Sequence, residues 1–313
     1  MMRKILKIVG VLLLILFVYA AFNYQADVPV EKLKGRYAQP PSQFVDLMGM
    51  QVHYRDEGPP ADSIPIVLLH GTSSFLQTWD ACTAVWSKNT RVIRMDLPAF
   101  GLTGPIPSGD YSLESYVSFL HAFLAKLNIT SCYLAGNSLG GSIAYTYAAT
   151  YPEQVKKLIL IDPAGYPIIG AKGALAFKMA RMPVVNNLFK VLTPRNIVRK
   201  SLEDVYGNSD LVTDSLVEMY RDMTIREGNR AAMIKRLNMP QSADTLVIKT
   251  LTMPTLVIWG DQDQLIPVSH AYKFQRDLPN DSLVILPGVG HVPMEETPGI
   301  VIPMVMKFID DRR

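Results

Sequence analysis

The hexapeptide Gly136-Asn137-Ser138-Leu139-Gly140-Gly141 directly follows the apolar run Ser131-Cys132-Tyr133-Leu134-Ala135. Together they demand a sharp strand-to-helix turn. Glycines on both sides of the serine remove the Cβ atoms that would clash where a strand reverses into a helix lying close against its sheet. Residues 139–149 read as that helix, so Ser138 is expected at its N-terminus with Oγ held above the strand end.

A strand that feeds a close-packed helix needs a sheet covered on both faces. Short β-rich apolar runs at 64–69, 91–95, 131–135, 157–161, 255–259 and 282–286 supply one, and such runs are what mostly parallel sheets require. Residues 44–47 and 50–54 flank Met48-Gly49 as an antiparallel hairpin. Between the strands, 113–127 has an apolar face behind Ser112 as N-cap, and 267–276 and 298–309 each open on a proline. From 165 to 245 the rhythm breaks. No strand is expected there, and helical patterning at 174–182, 184–191, 197–206, 213–221 and 225–237 is punctuated by Pro183, Pro194 and Gly207. This is an all-helical cap inserted after a central strand, at the sheet end where ligands bind in open α/β folds. The expected division is a core of 43–164 and 246–313, the cap at 165–245, a linker at 27–42 and an amino-terminal segment at 1–26.

That first segment carries Arg3, Lys4 and Lys7 and then no charge from 8 to 26. It is expected to be a membrane anchor whose basic flank stays cytoplasmic, leaving the remainder on the extracytoplasmic side; cleavage near Ala20 is the alternative. The net charge of +3 over 313 residues, without a basic stripe interleaved with aromatics, argues against nucleic acid as a partner. Cys82 and Cys132, the only two cysteines, lack metal spacing and read as buried small hydrophobes.

A nucleophilic serine needs a base, and His291 is the best placed of five histidines, in a loop beyond the last strand that Gly288 and Gly290 allow to turn back over the sheet. The imidazole needs a carboxylate. Asp263, in the loop after 255–259, is preferred; Asp261 is expected to brace that loop, and Asp162 is a rival that equally reads as a turn-former. His70 is expected to shape its loop, while His53, His121 and His270 read as surface or partly packed. Backbone N–H groups of Leu139 and of Thr72, following Gly71, are expected to form an oxyanion hole. Ser138, Asp263 and His291 thus run nucleophile, acid, base.

Taken with His70-Gly71-Thr72, the loop Asp96-Leu97-Pro98-Ala99-Phe100-Gly101, and Trp259-Gly260-Asp261-Gln262-Asp263, these motifs resemble the α/β-hydrolase superfamily, close to bacterial esterases and lipases with a helical cap. The resemblance spans about residues 44–310. It implies Ser138 as nucleophile, His291 as base and then acid, Asp263 as its partner, and Thr72 and Leu139 in the oxyanion hole. His70, Gly71, Gly136, Asn137 and Gly140 would support the loops, with no cofactor and no metal. The implied activity is hydrolysis of short to medium acyl esters or glycerides. Asn137 also resembles hydrolases that cleave carbon-carbon bonds of vinylogous diketones, and a catalytically inactive membrane-anchored binding protein is the third alternative. Residues 172–200 hold seven Lys or Arg and no acid, so a basic cap face against a lipid surface is a further expectation.

Overall fold

In the computed structural model the chain is described at residues 22–59, 64–167, 182, 185–239 and 245–311, and at Lys4, Lys7, Gly10, Val11, Leu14 and Val18. The strands are β1 (Ser42–Leu47), β2 (Met50–Glu57), β3 (Ile66–Leu69), β4 (Val92–Met95), β5 (Cys132–Asn137), β6 (Val155–Ile161), β7 (Thr255–Gly260) and β8 (Asp281–Leu286). They form one sheet in the order β1-β2-β4-β3-β5-β6-β7-β8. β2 runs antiparallel to β1 and β4, and all other pairs are parallel. The β1–β2 hairpin turns on Met48 and Gly49, with φ of 50° and 76°, the two positive values that a tight two-residue loop needs.

Successive side chains of a strand face opposite ways, and each central strand uses this to feed two cores. Val67, Leu69, Leu158, Leu160, Val257 and Trp259 pack on one face. There they meet α3 (Leu113–Lys126), α4 (Leu139–Thr150) and α9 (Ser269–Asp277) through Phe119, Phe123, Ile143, Tyr147 and Phe274. Ile66, Leu68, Ile159, Ile161, Leu256 and Ile258 face the other core, with α2 (Asp80–Trp86) and α11 (Pro298–Asp310). Ser112 caps α3, its Oγ accepting from the Ser115 amide at 3.2 Å. Cys82 and Cys132 are buried free thiols, each pushed up to about 12 by burial.

Between β6 and β7 the described residues form α5 (Val185–Phe189), α6 (Arg195–Glu203), α7 (Asp214–Ile225) and α8 (Asn229–Asn238), with no strand among them. Apart from Met182, the helix expected at 174–182 lies outside the described residues. The stretch read as a linker carries α1 (Val30–Tyr37), whose Leu33 and Tyr37 pack with Phe75, Leu102 and Met223. Just before it, Tyr24 pairs with Leu192 and Val28 with Arg226. Buried Arg230 binds Asp27 and the Gln25 carbonyl, the latter at 2.7 Å. Residues 24–37 therefore strap the helical insertion to the body.

One expectation is corrected and another is narrowed. Most of residues 1–21 lies outside the described residues, and among those described no helix is long and apolar enough to cross a membrane. Phe22 and Asn23 are still helical, but at Tyr24 the chain pairs with Leu192 instead of continuing as a helix. The membrane anchor, the extracytoplasmic placement and the export alternative with cleavage near Ala20 are accordingly set aside. Of the expected basic face, Lys172, Lys178 and Arg181 lie outside the described residues, while Arg195 and Arg199 converge on Asp214 and Lys200 pairs with Asp204 at 3.0 Å. Acids of the insertion itself thus pair with three of the four described cations of this stretch, and Lys190 meets Asn187 instead.

Candidate active site

Ser138 joins β5 to α4 with φ 53° and ψ −116°, a left-handed conformation that costs a non-glycine residue about 1–3 kcal/mol. The flanking glycines make it possible. A Cβ at Gly136 would land on the Gly140 carbonyl, and one at Gly140 on the Leu69 carbonyl. The turn is held by Ser138 N–H to the Ile161 carbonyl and Ala164 N–H to the Ser138 carbonyl, both 3.1 Å. The first i to i−4 bond of α4 runs from Ser142 to Ser138, so the Leu139 amide belongs to the orphan donors of the helix start.

His291 and Asp263 arrive from two other loops. His291 Nδ1 lies 2.6 Å from Asp263 Oδ2, and both side chains are buried. Asp263 Oδ1 accepts from the amides of Leu265 and Ile266 at 2.8 and 3.0 Å, which fixes the carboxylate plane. Asp261 accepts from Gly288 N–H at 2.8 Å and so joins its own loop to the histidine loop. Asn137 Nδ2 donates to the Ile161 carbonyl at 3.1 Å and to the His291 carbonyl at 3.0 Å. That side chain ties the serine turn to the histidine loop.

Gly71 packs against the turn: a Cβ there would sit 3.1 Å from Ser138 Cβ. Its carbonyl lies 2.8 Å from His70 Nδ1 and accepts Ser74 N–H at 3.2 Å, closing a turn that contains Thr72. His70 Nε2 accepts Leu97 N–H at 2.9 Å, so the proton resides on Nδ1, which donates to Gly71. Burial lowers the pKa of this ring. His70 thus shapes the Thr72 loop.

His53 and His270 are buried, contrary to expectation. His53 Nε2 lies 2.8 Å from Ser42 Oγ and its Nδ1 2.7 Å from Asp96 Oδ2. This second Ser-His-Asp row serves the fold. Arg55 also donates to Ser42 at 3.0 Å, and Asp96 accepts the Leu76 and Leu102 amides at 2.8 and 2.7 Å. Burial opposes ionisation of Asp96, but His53, His70 and the Leu76 amide hold its carboxyl below the ordinary range.

Sequence reading missed Glu295 and Glu296 of α10 (Pro293–Glu296). Glu295 accepts from Thr78 Oγ1, from Tyr206 Oη at 2.5 Å and from Tyr220 Oη at 3.1 Å. Burial raises its pKa, against those three donors. Glu296 accepts the Gly207 and Gly290 amides, each at 2.8 Å, and His291 N–H donates to the Val205 carbonyl at 2.8 Å. The insertion is therefore stitched to the histidine loop. Two adjacent acids following Val292-Pro293-Met294 were the available signal. Near the Thr72 turn, a small hollow of about 10 Å³ is lined by Ser73, Phe100, Met223, Thr224 and Met233, with Ser73 Oγ donating to Met233 Sδ at 2.9 Å.

Asp162, Asp263 and His291 are the one metal-compatible cluster among the described residues, but the His291 nitrogen facing the acids is engaged by Asp263. A family model for the alpha/beta hydrolase fold matches residues 64–298. The chain belongs to the α/β-hydrolase family. This hydrolase is 28% identical over 264 residues to lipase 1 of Psychrobacter immobilis, covering 79% of this chain and 77% of the relative. It is 26% identical over 298 residues to the 2-hydroxy-6-oxo-6-(2'-aminophenyl)hexa-2,4-dienoic acid hydrolase of Metapseudomonas resinovorans, covering 92% and 96%. The solved meta-cleavage product hydrolase of Pseudomonas fluorescens superposes with a TM-score of 0.75 at 24% identity, over 87% of this chain and 98% of that one, a likeness of fold.

Proposed function

We propose that this hydrolase cleaves carboxylic esters through Ser138, His291 and Asp263. The observation that carries the reading is the 2.6 Å contact between His291 Nδ1 and Asp263 Oδ2, in a loop whose carbonyl is bonded to the residue before Ser138. With Nδ1–H donating to the carboxylate, the neutral ring carries its lone pair on Nε2, the atom that takes a proton from a serine hydroxyl. Ser138 Oγ attacks the ester carbonyl as its proton passes to Nε2, and the oxyanion forms against the amides of Thr72 and Leu139. The C–O bond then breaks and the alcohol leaves with that proton. Water repeats the sequence on the acyl-enzyme, releasing the acid and restoring Ser138.

The insertion serves as a cap in this reading, supported by its bonds to the histidine loop and by the methionine-lined hollow, whose unbranched thioethers suit varied acyl groups.

The dienoic acid hydrolase, which spans nearly the whole chain, motivates a second reading in which the same Ser138 and His291 cleave a carbon-carbon bond. Against it, Asn137 is 2% exposed and its amide serves two backbone carbonyls.

The test is a series of nitrophenyl esters from short to long chains alongside a dienone acid, with Ser138→Ala as control. Ester turnover that disappears in the control is expected. Activity persisting in the control sinks the serine mechanism, turnover of the dienone acid alone moves the assignment to carbon-carbon cleavage, and absence of fluorophosphonate labelling revives a binding protein.

A further inference from the structure

Asp162 closes β6 with φ 43° and is completely buried. Its amide donates to the Ile258 carbonyl and its Oδ1 accepts Gly260 N–H, both at 3.0 Å. The carboxyl is thereby turned across onto the end of β7, from which the Asp263 loop departs. Its Oδ2 is buried and, among the described residues, meets no N–H or side-chain O–H donor. One carboxylate oxygen of Asp162, one of Asp263 and a ring nitrogen of His291 lie within 4.8 Å of one another. Two carboxylates cannot both ionise cheaply at such range in a buried site, whereas one shared proton turns repulsion into a hydrogen bond and supplies the missing partner of Oδ2.

We infer that Asp162 is a positioning residue of the same relay, its Oδ2–H donating to the Asp263 carboxylate and holding that carboxylate against His291. The inference rests on the proposed roles of His291 and Asp263. The groups around it are consistent. Burial, and then the negative charge of Asp263, push the Asp162 carboxyl well above the ordinary range; the Gly260 amide opposes them, and Glu296 of α10 adds to the rise. His291 from the loop after β8 is the remaining titratable group of the cluster, and His270 of α9 feels Asp263 from its own helix. Asp263 then accepts from Leu265, Ile266, His291 and Asp162. Its plane cannot rotate without breaking several bonds. No proton leaves Asp162 during turnover; it acts only through Asp263.

The experiment compares Asp162→Asn and Asp162→Ala in the full chain. It measures kcat and KM on a nitrophenyl ester between pH 5 and 10, and the downfield proton resonance of His291 Nδ1–H in the resting enzyme. An asparagine can offer its amide N–H to Asp263 and its carbonyl to Gly260. Asp162→Asn is therefore expected to stay within about threefold of wild type and to keep the resonance. It should also lose the alkaline decline that ionisation of Asp162 imposes. Asp162→Ala is expected to lose roughly tenfold or more in kcat with KM unchanged and to shift the resonance. Wild-type kcat and resonance in Asp162→Ala, or equal impairment of both variants, overturns the inference. Should Asp162→Ala fail to fold, an unchanged alkaline limb in Asp162→Asn overturns it and a missing limb supports it. The resonance needs no substrate, so absent ester turnover in the wild type removes the ester reading while the Asp162 comparison is still decided.

Discussion

Asn137→Ala removes one amide group that bridges two loops, and its cost divides unequally between them. The Ile161 carbonyl keeps the Ser138 amide as a donor, so loss of its Asn137 bond costs about 1 kcal/mol, the usual net worth of a neutral hydrogen bond. The His291 carbonyl receives Asn137 at 3.0 Å, and stripping a buried acceptor of its donor costs about 1–3 kcal/mol. The sum is about 2–4 kcal/mol. With 313 residues and an unfolding entropy of about 2.1 cal/mol/K per residue, that lowers Tm by about 3–6 °C in calorimetry. The freed histidine loop also loosens the His291 side chain, and in the proposed mechanism displacements of about 1 Å at such a group cost up to roughly a hundredfold in rate. A kcat reduced at least about tenfold on a nitrophenyl ester, with KM within about twofold, is the expected kinetic outcome. A variant that matches wild type in both Tm and kcat refutes the bridging role of Asn137 and the rigidity ascribed to the histidine loop.

Ser138→Gly should abolish fluorophosphonate labelling yet raise stability by about 1 kcal/mol, because relief of positive-φ strain exceeds the added chain entropy of glycine; a lower Tm in denaturation scans contradicts the strain. Glu295 is raised above its unfolded value, so the native state holds a proton that the unfolded chain releases. Its contribution is full below the unfolded pKa of about 4.3 and is lost as pH rises through the folded value. Glu295→Gln should flatten that part of the stability-pH curve in urea titrations, and an unaltered slope speaks against it. Arg230→Leu takes the guanidinium from Asp27, which keeps only the Gly228 amide at 2.9 Å, and frees the Gln25 carbonyl. Since Asp27 is 36% exposed, the loss should be about 1–3 kcal/mol, below that of a fully buried pair, and no change in Tm would show that the strap contributes nothing there.

Much of the body was legible because its signals are local. Apolar β-rich runs, the Ser112 cap and the glycines around Ser138 each act within a few residues, so the strand positions and the serine turn follow from the chain itself. Asp263 and Asp261 stand two residues apart in one loop, and it is the 2.6 Å contact of Asp263 with His291 that separates them. Other features needed the tertiary structure. His53 and Glu295 look like ordinary polar residues until Asp96 in one case, and Thr78, Tyr206 and Tyr220 in the other, are brought around them. Arg195 and Arg199 looked like free cations until α7 laid Asp214 beside them. Residues 24–37 looked like a tether until Arg230 met Asp27. Chain composition determines which segments become strands and helices through short-range sterics and hydrophobic periodicity. Burial, charge compensation and the company of Asp162 depend on contacts between residues a hundred positions apart, and only packing decides those.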